Sequence, residues 1–275
     1  MRCHGWIDRV AGLGADAHVL WTYEDEQSFR AVASEFLNEG PQFGQRLLFV
    51  ASGDEHALRE RLSGLPGLED LERRGALVLR SAEEMCESAD PEDQLAGFAG
   101  LVDDALAAGY TGLRVVTDMT ETLRDPAAWD AFARREAVAD RYMANNPMSA
   151  LCCLDRGAVP EALVGDLARL HPCTNFAEDT SSFRIFAADG TIVLDGEVDA
   201  FGRDAFTRLL EHTIPDDEES TLDLSAVGFI DHSGVLALAN RADEVTARGG
   251  SLRIAGAPHL VTRMCDLLGV RLPPV

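Results

Sequence analysis

The sequence predicts an α/β protein: a largely parallel sheet with flanking helices, followed by a second, smaller α/β domain. Three observations carry that prediction. From His18 to about residue 174, short β-rich apolar runs alternate with amphipathic helical stretches, the rhythm of parallel strands joined by crossover helices. A polar, turn-rich stretch over 172–182 then breaks the rhythm. After it, Asp189-Gly190 between two apolar runs signals a tight hairpin. The expected organisation is a lead-in over 1–17, a first domain over 18–174, a linker over 175–182 and a second domain over 183–275.

The elements follow in order. Residues 1–16, with Gly5, Gly12 and Gly14, read as loosely ordered. His18 to Tyr23 (H-V-L-W-T-Y) reads as a strand. A helix over 25–39 carries Phe29, Val32, Ala33, Phe36 and Leu37 on one face and stops at Gly40-Pro41. A buried strand over 46–52, a short helix over 55–62 and a strand over 76–79 come next. Asp90-Pro91 opens a helix with Leu95, Phe98, Ala99, Val102 and Leu106 as its apolar stripe, and Gly109 closes it. Then come a strand over 112–118, a helix over 126–143, a last apolar strand over 148–155 and a helix over 160–170. The second domain reads as hairpin, helix, strand, helix, a strand over 252–255 and a closing helix over 258–268. The acidic run 216–219 is expected in a solvated loop.

Composition excludes several function classes. The chain has 275 residues, a net charge of −23 and 46% hydrophobic residues, enough for packed cores. Residues 1–178 hold 16 basic and 31 acidic side chains, and the remainder 8 and 16, so the acid is spread and not a tail. Such a surface argues against nucleic acid and anionic membrane as direct partners. All 24 basic residues are arginine. Without lysine there is no Walker-type phosphate-binding lysine, Schiff base or lysine general base. Cys3, Cys86, Cys152, Cys153, Cys173 and Cys265 lack the spacing of a disulfide framework or zinc knuckle, which fits a reduced, cytoplasmic setting. The N-terminus does not read as a secretory signal, and no run approaches the roughly 20 apolar residues that cross a bilayer.

The most informative stretch is T-L-D-L-S-A-V-G-F-I-D-H-S-G-V-L-A-L at 221–238. Leu222 and Leu224 alternate with Asp223 and Ser225, as in a strand with one buried face. An apolar run over 227–230 leads to Asp231-His232-Ser233-Gly234, after which Val235, Leu238, Ala239, Ala242 and Val245 recur at helical spacing. Ser233 is therefore expected on a strand-to-helix turn, at or next to the helix N-cap. A hydroxyl there is an ordinary cap worth about 1 kcal/mol. It is also a place where an added phosphate would meet backbone N–H groups and the positive end of the helix dipole.

Three features of the first domain invite weaker readings. F-V-A-S-G-D at 49–54 puts a glycine after a strand, but one glycine without lysine is a poor phosphate loop. V-V-T-D at 115–118 ends a strand in an acid, like a Walker B site; the plainer reading is that Asp118 caps the next turn. Cys152, Cys153, His171 and Cys173 match no known metal spacing, and free cysteine is usually a small buried apolar residue, so no metal and no cofactor are expected.

Two resemblances give these residues roles. I-V-L-D-G-E-V-D at 192–199, D-L-S from Asp223 and D-x-S-G from Asp231 resemble the STAS domain of anti-sigma-factor antagonists, over roughly 183–270. The resemblance implies that Ser233 is phosphorylated by a partner serine kinase of the histidine-kinase-like ATPase type that doubles as the anti-sigma factor. It also implies that Asp199, Asp223 and Asp231, with His232 and Gly234 around the acceptor, meet that partner. His232 departs from the family, which commonly has a small hydroxyl residue there; a histidine beside the acceptor can pair with the phosphate when protonated or hinder docking.

In the first domain, His18 with Tyr23, F-L-N-E-G at 36–40, G-Y-T-G-L-R-V-V-T-D-M at 109–119, Glu136, A-L-C-C-L-D at 150–155 and His171-Pro172 resemble the MEDS family of bacterial sensory domains. Such domains look like nucleotide-binding folds that have lost the phosphate loop and are proposed to sense small organic compounds. On that pattern His18, Tyr23, Asp118, Glu136 and Cys152 are expected to line a pocket at the strand ends. The combined expectation is a non-enzymatic regulator that switches partners through Ser233 under control of a small organic effector. The alternative is a scaffold subunit that sequesters a kinase in a large stress-signalling assembly; self-association into a homo-oligomer stays open.

Overall fold

The computed structural model describes residues 4–85, 90–176 and 182–275; Cys3, Cys86 and positions 177–181 of the expected linker lie outside the described residues. In chain order the first part comprises β1 (Gly5–Trp6), β2 (His18–Tyr23), α1 (Glu26–Glu39), β3 (Arg46–Ala51), α2 (Glu55–Arg61), α3 (Leu68–Arg73), β4 (Leu77–Ser81), α4 (Ala82–Met85), α5 (Pro91–Ala107), β5 (Leu113–Asp118), α6 (Thr120–Leu123), α7 (Trp129–Met143), β6 (Met148–Asp155), α8 (Glu161–Leu170) and β7 (Cys173–Thr174). The second comprises β8 (Phe183–Ala188), β9 (Thr191–Val198), α9 (Arg203–Thr213), β10 (Glu219–Ile230), α10 (His232–Ala247), β11 (Ser251–Ala255) and α11 (His259–Leu268).

The first seven strands form one parallel sheet in the order β1-β7-β2-β6-β5-β3-β4. The inner strands β3, β5 and β6 are buried almost throughout, as a sheet covered on both faces requires. One face carries α1, α2 and α3 through Phe29, Phe36, Leu58 and Leu71; the other carries α5, α7 and α8 through Val102, Phe132 and Leu167. Local chemistry sets the first helix: Asp25 accepts from the Ser28 N–H at 2.7 Å, and the Ser28 hydroxyl is within reach of the Asp25 N–H, a reciprocal cap.

Arg114 is fully buried on β5. Its guanidinium lies 3.7 Å from the Phe36 ring centroid, its Nε–H donates to the Phe36 carbonyl at 2.6 Å, and Nη2 meets Glu39 at 3.2 Å. Burial lowers its pKa to about 10 against the opposing pull of Glu39, so it is still charged at neutral pH.

The second sheet has the order β11-β10-β9-β8, parallel except for the antiparallel β8–β9 hairpin. Asp189 (φ 49°) and Gly190 (φ 77°) make its turn, both left-handed as a two-residue hairpin needs. β10 slips register twice against β9, between Asp223 and Ala226 and between Val227 and Phe229. This bulged end leads into α10.

Four expectations need correction. The lead-in is not loose: Gly5 and Trp6 pair with β7, and Val10 and Leu13 are buried in the first core. An unforeseen helix, α3, packs Leu71 between the expected helix and strand. The strand 148–155 is not the last of its sheet, because β7 follows it. The acidic run is not merely solvated: Asp216 pairs with Arg241 at 2.7 Å and with Arg248, and Glu219 already belongs to β10.

The two parts share an apolar boundary. Ala133 and Ala137 of α7 and Leu170 of α8 belong to the same buried cluster as Phe183, Ile185 and Phe206 of the second domain. Arg141 on α7 donates to the Thr213 carbonyl at 2.9 Å, and His212 on α9 lies 3.1 Å from Asp130. The α7 helix thus has one face on the first sheet and another on the second domain.

Candidate functional site

The five residues expected to share a pocket lie on opposite faces of the first sheet. Side chains alternate along a strand and registered partners share a face, so Asp118, level with Cys153, faces away from Cys152. Tyr23 and Asp118 face α1, at the C-terminal ends of β2 and β5. There the Tyr23 hydroxyl donates to Asp118 Oδ2 at 2.7 Å, and Arg61 Nη2 meets the same oxygen at 2.6 Å. The other oxygen accepts from the Thr120 N–H at 3.0 Å and its hydroxyl at 2.6 Å. Asp118 does cap the following turn, and it also anchors a buried charged hub. Burial, then the Asp118 charge, raise the Tyr23 pKa.

His18 and Cys152 face the other way, under α7. Glu136 reaches down from α7 and His171 comes from the end of α8. His18 Nε2, Glu136 Oε2, Cys152 Sγ and a His171 ring nitrogen lie within 4.8 Å of one another, all buried, an arrangement that can hold a metal ion. Glu136 Oε2 is 3.4 Å from His18 Nε2, 3.2 Å from His171 Nε2 and 3.7 Å from Cys152 Sγ; Sγ is 3.7 Å from His18 Nε2. Arg135 Nη2 holds the other Glu136 oxygen at 3.1 Å.

Charge is mutually supported in this cluster. Burial lowers the His18 pKa, but bonds to Asp140, Cys152 and Glu136 outweigh it and the net direction is up. Burial raises the pKa of Glu136, yet His171, His18 and Arg135 hold it well below the ordinary carboxylate range. The Cys152 thiol is likewise depressed by His171 and His18 against burial and the Glu136 charge. Cys152, Cys153, His171 and Cys173, whose spacing matches no metal pattern, do not meet as one set; the fold assembles His18, Glu136, Cys152 and His171 instead. Cys153 points to the opposite core and Cys173 packs there too. The four described cysteines are buried and carry no disulfide.

Beside the cluster lies a cavity of ≈ 40 Å³ lined by His18, Glu136 and Cys152 together with apolar side chains such as Val50, Met119 and Met148. A space of this size admits a molecule of a few heavy atoms. Tyr23 and Asp118 do not line it.

In the second domain the capping residue of α10 is Asp231, with Ser233 two residues inside the helix. Asp231 Oδ1 accepts from the Gly234 N–H at 2.9 Å and from the Ser233 hydroxyl at 2.6 Å. Burial pushes the Asp231 pKa up, but these bonds prevail and lower it. A phosphate on Ser233 would therefore meet a carboxylate that already holds the Gly234 N–H, not a vacant cap. Ser233 is half-buried and borders a groove of ≈ 300 Å³ between α9 and α10 that includes Arg203 and Arg241.

The parallel β9 and β10 bring their C-terminal ends together here: the Asp231 N–H donates to the Val198 carbonyl at 2.9 Å. Asp199, just beyond the end of β9, accepts from the Phe201 and Gly202 N–H groups at 3.0 Å each. His232 is exposed beside the acceptor. Asp223 sits further back on β10 and caps Ser225 at 2.8 Å. Gly234 is buried and offers no surface: a Cβ there would lie 2.6 Å from Ile230 Cγ1, so glycine lets α10 close on the strand. Phe201 is 98% exposed and Phe229 40% exposed at this same end; neither was singled out in the sequence, although an aromatic in the loop between Asp199 and Gly202 was a readable signal.

Among the described residues no helix is long and apolar enough to cross a membrane. No curated protein matches the chain. Among solved structures, flagellar accessory protein FlaH from Methanocaldococcus jannaschii is similar at 10% identity and a TM-score of 0.39, over 67% of this chain and 78% of that one. The family model described as "MEthanogen/methylotroph, DcmR Sensory domain" matches residues 17–172, and that described as "Mlab, STAS domain" matches residues 181–271. Both are regulatory or sensory families, not catalytic ones. The chain belongs to the MEDS sensory family, its sensory domain fused to a STAS domain.

Proposed function

We propose that the protein is a cytoplasmic signalling regulator whose STAS domain acts as an anti-sigma-factor antagonist by partner switching, biased by a small organic molecule in the MEDS domain. Unphosphorylated, the domain binds an anti-sigma-factor serine kinase and releases a sigma factor; phosphorylated at Ser233, it lets go. The observation that carries this reading is the placement of Ser233. Its hydroxyl lies in the first turn of α10, half-exposed, on the end of the sheet that also displays Phe201, Phe229 and Asp199.

A phosphate there adds about −1.5 to −2 charges beside Asp231, whose oxygen is already 2.6 Å from the hydroxyl. Repulsion would break the Asp231 contact and put bulk and charge where a partner closes on an uncharged serine. An interface penalty of roughly 3–4 kcal/mol corresponds to a loss of two to three orders of magnitude in affinity. The cavity beside His18, Glu136 and Cys152 is the proposed effector site; its apolar lining and size suit a small organic molecule.

The test is phosphopeptide mass spectrometry on protein isolated from its native host, with and without stress, alongside binding of Ser233→Asp to the host's anti-sigma-factor kinase. Stress-dependent phosphate on Ser233 and a hundredfold weaker Ser233→Asp complex are expected. A Ser233→Asp variant that binds as tightly as the parent protein overturns the switch.

A further inference from the structure

We infer that the MEDS domain binds one transition-metal ion through His18, Glu136, Cys152 and His171, and that Asp140 ties this ion to the STAS domain.

The donor separations carry the inference. Tetrahedral zinc, with bonds of about 2.0–2.1 Å to nitrogen and oxygen and about 2.3 Å to sulfur, places N and O donors about 3.4 Å apart and S about 3.6 Å from either. The N–O separations here are 3.2 and 3.4 Å, and the S–N and S–O separations are both 3.7 Å. Four of the six edges of one coordination tetrahedron are thus already near their zinc lengths, and all four donors, from β2, α7, β6 and the end of α8, lie within 4.8 Å of one another.

The tautomers agree. His18 Nδ1 lies 2.8 Å from Asp140 Oδ1, and His171 Nδ1 lies 2.7 Å from the Leu167 carbonyl. Both partners only accept, so each Nδ1 carries a proton, and a ring that gives up its Nε2 proton to an incoming ion turns that lone pair toward the cluster. His171 Nε2 is fully buried, and Glu136 Oε2 lies 3.2 Å from it. Without a cation, such lone pairs would face a carboxylate and a sulfur, acceptor against acceptor. Either additional protons or a metal ion must fill the centre.

Two imidazoles, a thiolate and a carboxylate suit a borderline-soft divalent ion, zinc above all, and exclude calcium and magnesium, which take oxygen ligands. The two anionic donors neutralise its charge inside the core, and binding expels the thiol proton to solvent. Arg135 on Glu136 Oε1 and Asp140 on His18 Nδ1 are the outer partners that orient metal ligands.

Asp140 does more than orient. Its second oxygen accepts the Ala187 N–H of β8 at 2.6 Å, on the outer edge of the STAS sheet. The path from ion to second domain is one imidazole and one carboxylate long. An ion on His18 Nε2 polarises the ring, strengthens the Nδ1–H bond to Asp140, and so fixes the acceptor of the Ala187 amide.

The inference is independent of Ser233 and is tested without it. Full-length protein is stripped with chelator, loaded with cobalt(II), desalted, and examined by metal analysis and absorption spectroscopy. About one cobalt per chain is expected, with a near-ultraviolet thiolate-to-cobalt charge-transfer band and intense visible bands of a four-coordinate ion. Cys152→Ser should lose the near-ultraviolet band. Asp140→Asn, which leaves all four ligands in place, should retain it while the Ala187 amide loses its metal-dependent protection from hydrogen exchange. Failure of the wild-type protein to retain cobalt overturns the site. So does a bound ion without a thiolate band, or a band that persists in Cys152→Ser. Unchanged Ala187 protection on loading the wild type overturns the link to the STAS domain. The wild-type spectrum decides ligation by sulfur even if a variant does not fold.

Discussion

The cluster beneath α7 and the serine at the head of α10 are built in opposite ways. The first gathers residues 18, 136, 152 and 171 from four elements into a closed, buried centre. The second is a single contiguous run, Asp231 to Gly234, on an exposed sheet end. Distance along the chain makes the cluster depend on the whole domain being folded, whereas the serine turn needs little more than a strand and a helix. A buried charged centre resists change and suits an input that must be specific; a half-exposed hydroxyl is cheap to modify and suits an output.

That contrast can be broken by mutation, beginning where the effect is largest. Asp140→Ala removes the acceptor of two bonds, leaves the Ala187 N–H and His18 Nδ1–H without it, and should cost about 3–5 kcal/mol in denaturant unfolding. A loss below about 1 kcal/mol would mean that the cluster is not anchored to the second domain. Gly234→Ala pushes a methyl to within 2.6 Å of Ile230 and should cost about 1–3 kcal/mol by overpacking, with little change in the MEDS cluster.

Asp231→Ala should cost about 1 kcal/mol through loss of the α10 cap. The sign of its pH dependence follows from the lowered pKa. The carboxylate contributes fully above its unfolded value of about 3.9 and loses that contribution as pH falls through its lower folded value. The gap between variant and parent should therefore close below about pH 4; a gap that widens in acid contradicts the cap. The carboxylate is only partly buried, so solvent screening keeps the effect no larger than the cap itself.

The smallest effect on stability is expected from Ser233→Ala, within about 0.5 kcal/mol in thermal unfolding, because the hydroxyl only donates to a carboxylate that keeps its Gly234 bond. Its functional effect would be the reverse of its energetic one: permanent binding to the kinase. Size-exclusion chromatography sharpens the comparison further. A monomer or dimer fits the antagonist, while a megadalton particle would favour the kinase-sequestering scaffold.

Much of the architecture was legible from periodicity alone. β6 runs from Met148 to Asp155 as its apolar run indicates, α5 begins at Pro91 with Asp90 as its cap, and the hairpin turns at Asp189-Gly190. These are local signals, set by side-chain pattern and turn chemistry within a few residues. β1 was hidden because a two-residue edge strand has no periodicity and exists only through its pairing with β7. α3, six residues long, was too short to show a stripe.

The sequence by itself determined the order of the elements, the acidic composition with arginine as its one strong base and the strand-then-helix setting of Ser233, because each depends on neighbours along the chain. Only the tertiary structure decided which expected site residues meet. Strand alternation sent Tyr23 and Asp118 to one face and His18 and Cys152 to the other, and helix packing delivered Glu136 and His171 to the latter. It also decided that Asp231, not Ser233, caps α10, and that Asp140 bridges two domains. Contacts between residues 47 or 122 positions apart arise from packing and register, which no local pattern encodes.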